Sequence, residues 1–288
     1  MNEARAVRIL DNEVLSCSRQ QLIKRLAFYP DRYVGVFRAT NPKVKLIQNL
    51  LTSHEVLFGK ALEVLMHEMI ADWGFAYYSN LSVKNDKTRL AFDHLFSKDN
   101  RLFMVEQKMR DDHDSTKKRG QIENFDLKIR YLLSEFDGNL TAIMFFIDPA
   151  LTKNRTFYAH RISSLTNKYG ADIFLLYGKE FFDFFGYSKT WIELTQWLSV
   201  WKNTLPDVPE IDFDQTPRKS FEELKVIPSN IWKKLIETKP LWEDGIIREL
   251  FSNGSTFRML FNHFSQLDQP GYNDVSNSLL IRINEYYY

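Results

Sequence analysis

Apolar and polar positions change period several times along the chain, and each change marks an element. Thr52 and Glu55 have capping-box spacing, and Phe58, Leu62, Leu65 and Met69 then recur at helical intervals. This predicts an amphipathic helix ending near Asp72 to Gly74. Two runs of strand formers follow, Thr88 to Phe96 and Leu102 to Met109, with Ser97-Lys98-Asp99-Asn100-Arg101 between them, the pattern of a β-hairpin. The polar stretch Arg110 to Gly120 reads as a loop that leads into a helix at about Gln121 to Glu135. A strand at Leu140 to Ile147 is stopped by Asp148-Pro149, and another follows at Ile173 to Tyr177. Helix, strands, helix, strand is the order of an α/β (α+β) domain with a central sheet flanked by helices.

Beyond this, Pro206, Pro209 and Pro217 punctuate an acidic stretch that reads as a linker. Ser220 and Glu223 repeat the capping-box spacing, and the rest is mostly helical. The expected organisation is a basic, mainly helical segment at 1–50, a core at 51–205 and a mainly helical C-terminal extension at 206–288.

Composition narrows the function classes. The longest uninterrupted apolar run, Ala142 to Ile147, is far short of the ~20 residues needed to cross a bilayer. The N-terminus lacks the apolar stretch of a signal peptide, so membrane and secretory readings are set aside. One cysteine, Cys17, supplies neither an internal disulfide nor a thiolate zinc site, which favours an intracellular protein and a hard cation held by oxygen or imidazole. With 38 Lys+Arg against 37 Asp+Glu, the net charge of +1 gives no global field for a polyanion. Positive charge is concentrated in the first fifty residues, where nine basic residues face four acidic ones, a net +5. A solvated helix surface explains that excess as well as a nucleic-acid surface does.

The hairpin carries the chemistry. In Leu102-Phe103-Met104-Val105-Glu106-Gln107-Lys108 both alternating sets begin apolar, as in a central strand covered on two sides, yet Glu106 and Lys108 fall on the Leu102/Met104 face. Charges there are costly unless paired, bound to a metal or open to a wet cleft. A two-residue turn at Asp99-Asn100, both tolerant of positive φ, makes partner numbers sum to 199 and sets Asp93 opposite Glu106. Two carboxylates so placed repel each other, and a divalent cation such as Mg²⁺ would reverse that penalty. Lys108, facing the same way, could hold a phosphate or a water nucleophile.

Asp93, a short turn and then Glu106-Gln107-Lys108 at the end of the next strand resembles the PD-(D/E)xK nuclease superfamily, which includes most type II restriction endonucleases. The element order matches that superfamily's core over roughly Ser53 to Tyr177, although Phe92 stands where the motif has proline. The resemblance implies a restriction-endonuclease-like core with a mixed sheet and a Mg²⁺-dependent double-stranded DNA endonuclease cutting at a short specific sequence. One or two Mg²⁺ per site would be held by Asp93, Glu106 and the main-chain carbonyl of Gln107, and Lys108 would orient or activate the attacking water. Glu63 corresponds to a helix glutamate that supports the metal or its waters, although an ordinary i, i+4 pair with His67 explains it equally. Arg110, His113, Ser115, Lys117, Lys118, Arg119 and Gln121 are the DNA-contact candidates, with a solvated loop as the alternative. Convergence of Asp111, Asp112, His113 and Asp114 on a second metal is disfavoured, because consecutive loop residues seldom share one ion. The family also implies a homodimer, a cognate DNA methyltransferase in the same system and a cytoplasmic, prokaryotic setting. A structure-selective repair or recombination nuclease stays open, as does a non-catalytic nucleic-acid binding module in which Asp93, Glu106 and Lys108 form a buried ion network.

Overall fold

The computed structural model describes residues 1–15, 18–37, 39–78, 82–85, 88–112, 114–136 and 139–287. In chain order the helices and strands are α1 (Glu3–Leu10), α2 (Ser18–Phe28), α3 (Pro42–Asp72), β1 (Ala76–Tyr77), β2 (Ser82–Asn85), β3 (Thr88–Ala91), β4 (His94–Lys98) and β5 (Arg101–Lys108). They continue with α4 (Ser115–Glu135), β6 (Leu140–Phe146), α5 (Arg155–Tyr169), β7 (Asp172–Tyr177), α6 (Lys179–Phe184) and α7 (Ser188–Lys202). The chain closes with α8 (Pro217–Leu224), α9 (Ser229–Glu237), α10 (Lys239–Glu243), α11 (Ile246–Leu250), α12 (Ser255–Phe264) and α13 (Pro270–Tyr286). Contacts divide these elements into two compact units, residues 1–9 with 59–204 and residues 10–58 with 205–288.

The first unit is built on a mixed five-stranded sheet ordered β1-β4-β5-β6-β7. β4 and β5 are antiparallel, whereas β5, β6 and β7 run parallel, with α4 and α5 as the connections between them. Parallel neighbours need such crossovers, and the helices they carry cover the sheet. Leu95, Leu102, Met104, Leu140, Ala142 and Met144 pack with Ile122, Phe125, Ile129 and Leu132 of α4 and with Tyr158 and Ile162 of α5. Alternate residues form an aromatic layer on the opposite face. Phe96 stacks on Phe103 at 5.4 Å between ring centroids, Phe75 meets Phe96 edge-on at 5.1 Å, and Phe145 stacks on Phe181 at 4.3 Å. This places most of the aromatic run after β7 in the core, with Phe184 half-exposed. β5 is thus covered on both faces, and every residue from Leu102 to Gln107 is buried.

The hairpin register is the expected one. His94 pairs with Val105 and Leu95 with Met104, and the turn holds Asp99 at φ 51° and Asn100 at φ 63°. Two consecutive positive-φ residues give the turn the twist of its flanking strands. The first hairpin strand is not continuous, however. The segment read as one strand from Thr88 to Phe96 breaks at Phe92-Asp93, so that β3 pairs with β2 in a separate two-stranded sheet and β4 begins at His94.

Three helix starts also differ from the periodicity reading. α3 begins at Pro42, ten residues before Thr52, because Asn41-Pro42 supplies a better start: the Asn41 side chain accepts from Val44 N at 2.9 Å, and proline lacks the N–H that a first helical residue leaves unpaired. Thr52 lies inside the helix with its hydroxyl bonded back to Gln48 O at 2.8 Å. α4 starts at Ser115 rather than near Gln121, capped by Asp114, whose carboxylate accepts from Thr116 N at 3.0 Å and Lys117 N at 2.8 Å. Pro217 opens α8, so Ser220 is interior and its hydroxyl donates to Phe213 O at 2.7 Å.

The second unit is helical, with Leu22 and Leu26 of α2, Leu46 and Leu50 of α3 and Trp232, Trp242, Phe251 and Phe257 among its buried residues. The buried Asp214 carboxylate accepts three main-chain N–H groups at the start of α12, from Asn253 at 3.0 Å, Gly254 at 2.7 Å and Thr256 at 2.8 Å. An anion at a helix N-terminus is favoured by the unpaired donors and the dipole there.

The capping assignment has a direct check in urea unfolding. Asn41→Ala should lower stability by about 1 kcal/mol, the typical cost of a lost N-cap. Thr52→Ala should stay within about 0.5 kcal/mol of the unaltered protein, as an exposed helix-interior change does.

Candidate active site

The site lies at the end of β5, where the break at Phe92-Asp93 frees one carboxylate to turn toward the strand. Asp93 Oδ2 accepts from Gln107 N at 2.9 Å, so the side chain extends the hairpin's bonding one step past its last paired residues. The same oxygen is 3.0 Å from Lys108 Nζ. That ammonium also lies 2.8 Å from Glu106 Oε1 and donates to the main-chain oxygen of Gln107 at 2.8 Å. The structure therefore brings Asp93, Glu106, Gln107 and Lys108 together, with three oxygens converging on one cationic nitrogen.

Glu106 is 3 % exposed and carries a second cation on its other oxygen, where Lys128 Nζ of α4 donates to Oε2. Lys128 occupies the apolar stripe of α4 beside Phe125, Ile129 and Leu132, and its ammonium lies 5.8 Å from the centroid of the Phe92 ring. The sequence reading did not single it out. A charged residue inside a helical apolar stripe was the available signal, since such a group requires a partner.

Behind β5 lies a second set of polar groups that sequence reasoning missed. The His94 ring bonds through Nε2 to Gln107 Oε1 at 2.9 Å and through Nδ1 to the Tyr77 hydroxyl at 2.8 Å. Since Gln107 Oε1 only accepts, Nε2 carries the proton and Nδ1 accepts from Tyr77. Burial holds the His94 pKa down to about 4, so the imidazole is neutral. Tyr77 is itself fixed by stacking on His67, with centroids 3.9 Å apart, and its hydroxyl lies 3.2 Å from the Asp93 carbonyl. Burial, followed by the Asp93 and Glu63 charges, raises the pKa of that hydroxyl. The chain holds Gln107 from one side of the sheet while its carbonyl faces Lys108 on the other.

Glu63 on α3 is half-buried, and burial, reinforced by the Asp93 charge, pushes its pKa up to about 7. Lys108 and Lys60 pull the other way, and Glu106 adds to the rise. Burial alone would lower the Lys108 pKa, but the Glu106 and Asp93 carboxylates raise it further than burial lowers it. The donor set suits a hard cation: two carboxylates and a carbonyl, with neither sulfur nor imidazole. Among the described residues, no group of three His, Cys, Asp or Glu side chains is arranged to hold a metal, so the main-chain oxygen is needed to complete a three-oxygen half-shell.

The segment leaving the site is partly inward-facing. Arg110, Ser115, Lys117 and Arg119 are exposed, and His113 lies outside the described residues. Lys118 Nζ donates to Asn154 Oδ1 at 2.9 Å and lies 4.6 Å from the Phe157 ring centroid, while Gln121 Oε1 accepts from the Tyr158 hydroxyl at 2.5 Å. Asp111 is buried and accepts from Asn154 N at 3.0 Å and the Tyr177 hydroxyl at 2.8 Å, which pins the strand exit. With Asp114 spent on capping α4, these acids have separate local tasks.

Among family models, the one described as type II restriction endonuclease, HinfI, matches residues 80–202, a stretch that contains Asp93, Glu106, Lys108 and Lys128. No curated protein matches the chain.

The Glu63 shift fixes the sign of a pH effect. A carboxyl whose folded pKa exceeds its unfolded value stabilises the fold while protonated and loses that contribution as pH rises toward about 7. In thermal unfolding with a chelator present, Glu63→Gln should therefore remove part of the decline in melting temperature between about pH 4.5 and pH 7. Parallel pH curves for the two proteins would contradict the assignment.

Proposed function

We propose, from the premise that residues 80–202 are those of a type II restriction endonuclease, a site-specific deoxyribonuclease, that this enzyme cuts both strands of duplex DNA at a short specific sequence in a Mg²⁺-dependent reaction. The observation that carries the metal requirement is the convergence of Asp93 Oδ2, Glu106 Oε1 and the Gln107 carbonyl on one ammonium, at 3.0, 2.8 and 2.8 Å. These oxygens would hold Mg²⁺. Bound there, the ion would supply Lewis-acid stabilisation of charge on the scissile phosphate and would make a water more acidic.

The chain's own groups do the rest. Lys108, released from the acids, is placed to orient the attacking water or contact a phosphate oxygen. Glu63, on α3 and electrostatically coupled to Asp93, Glu106 and Lys108, is placed to support the metal or its waters. His94 and Tyr77 keep the Gln107 carbonyl aimed into the site. Arg110, Lys117 and Arg119, on the segment leaving β5, offer charge to the phosphate backbone, and Ser115 adds a polar contact. Lys118 and Gln121 support the segment through Asn154 and Tyr158 and so position it. Cutting two strands is best served by a homodimer with one site per strand, and self-protection calls for a cognate methyltransferase. Among the described residues no helix is long and apolar enough to cross a membrane, which suits an enzyme working on DNA in the cytoplasm.

Plasmid digestion tests the reading. Discrete fragments that require Mg²⁺, with one sequence at every end, are the expected result; cutting at junctions or flaps without a common sequence would favour a repair nuclease. Asp93→Asn and Lys108→Ala should each reduce the single-turnover cleavage rate at least about a hundredfold, the scale of one lost transition-state stabiliser. DNA binding should persist in gel-shift assays. Unchanged cleavage by Asp93→Asn would exclude this site, and loss of thermal stability in an enzyme that never cut DNA would favour a purely structural ion network.

A further inference from the structure

We infer that Lys128 restricts Glu106 to a single oxygen toward the metal and thereby sets the site's preference for Mg²⁺ over Ca²⁺. The inference rests on the proposed reading of Asp93, Glu106 and the Gln107 carbonyl as metal ligands.

The two lysines that share Glu106 are held very differently. Lys108 bonds Oε1, and its side chain is 24 % exposed, so its ammonium borders solvent and can withdraw when a stronger cation competes for the same oxygens. Lys128 bonds Oε2, is 3 % exposed like Glu106 itself, and comes from the buried stripe of α4. Phe92 lies against its ammonium at 5.8 Å and packs on Tyr131 of the same helix at 6.4 Å between centroids. Lys128 has no route to water that would not strand a buried carboxylate oxygen, so Oε2 remains covered after Lys108 leaves. Glu106 then has one oxygen to give.

That limit discriminates between ions. Ca²⁺ gathers about six to eight oxygens and often takes both from one carboxylate, whereas Mg²⁺ takes about six at shorter range, keeps several waters and accepts carboxylates one oxygen at a time. A capped Glu106 denies Mg²⁺ no oxygen it would use and denies Ca²⁺ a donor. The positive charge of Lys128 weakens the binding of both divalent ions together, so it largely cancels in their ratio. The Phe92 ring, standing where the related motif has proline, is one wall of the cover over Lys128.

Calorimetric titration of the full-length protein with Mg²⁺ alone and with Ca²⁺ alone, without DNA, reads the ratio of the two dissociation constants. Lys128→Met keeps the side-chain length and frees Oε2, so the ratio should move toward Ca²⁺ by about tenfold, within the range seen when groups supporting a metal ligand are altered. Lys128→Arg keeps Oε2 covered and should leave the ratio as in the unaltered protein. An unchanged ratio in folded Lys128→Met, with both ions still bound by the unaltered protein, overturns this inference alone. Binding of neither ion by the unaltered protein overturns the metal reading as well. A crystal of the unaltered enzyme soaked in Ca²⁺ decides the point without any variant: one Glu106 oxygen on the ion and Lys128 on the other is the expected arrangement, and both oxygens on the ion would overturn it.

Discussion

Everything at the end of β5 depends on holding the Glu106 carboxylate where almost no water reaches it. Removing a carboxylate from water costs several kcal/mol even after the protein relaxes, and one partner seldom repays that. Glu106 has two, Lys108 on Oε1 and Lys128 on Oε2. Each lysine is in turn defined by what else it touches. Lys108 has Asp93 and the Gln107 carbonyl as alternatives, which makes it exchangeable, whereas Lys128 is closed in by apolar neighbours and stays with Glu106. The result is two carboxylates balanced by two ammonium groups, of which the more exposed one, Lys108, is the one that would give way to the proposed divalent ion.

The fold supplies this arrangement through two departures from regular sheet structure. β5 is a central strand, antiparallel to β4 and parallel to β6, so both its faces are sealed by helices and aromatic rings and only its end can open. The break at Phe92-Asp93 uses that end. It stops β4 one residue short, lets the Asp93 side chain bond to the main chain of Gln107, and swings β3 away to pair with β2. An unbroken strand would have put Asp93 and Glu106 face to face as a repelling pair; in the broken one, Lys108 lies between their oxygens.

What could be read from the sequence followed from short-range rules. The Asp99-Asn100 turn gave the hairpin register, the burial of both faces of β5 was visible in its unbroken apolar run, and the two misplaced charges on that strand marked the side-chain cluster at its end. The misses are of two kinds. Helix starts were misplaced where proline and an asparagine or aspartate cap outcompeted a capping-box match, as at Asn41-Pro42 and Asp114. Lys128 and His94 were missed because their roles come from contacts across elements: a lysine inside an apolar stripe announces that it needs a partner but not which one, and the partner is fixed only when α4 crosses β5. The break before His94 is similar, since Phe92 and Asp93 carry no strong turn signal and the interruption is stabilised by Gln107 on the next strand.

The basic N-terminal segment teaches a complementary lesson about charge. Its excess left a polyanion surface and a solvated helix surface equally open, and two of its arginines, Arg25 and Arg19, are engaged in partly buried contacts. Arg25 donates to Asn49 O at 3.3 Å and to the buried Ser53 hydroxyl at 2.8 Å, and Arg19 to the Ser220 hydroxyl at 3.2 Å with Glu223 at 3.6 Å, while the half-exposed Arg5 pairs with Glu68 at the surface. Guanidinium groups with several donors suit such joints, because each satisfies carbonyls and hydroxyls that would otherwise be buried unpaired. Sequence charge is therefore a poor measure of surface charge here. With a net charge of only +1, the proposed affinity for DNA would have to come from cations placed at short range. On the proposed reading Arg110, Lys117 and Arg119 would supply them, on the exit from β5 whose course Asp111 fixes through Asn154 and Tyr177. The strand that carries Glu106 and Lys108 thus leads directly into the segment whose cations would, on that reading, bring the phosphate to them.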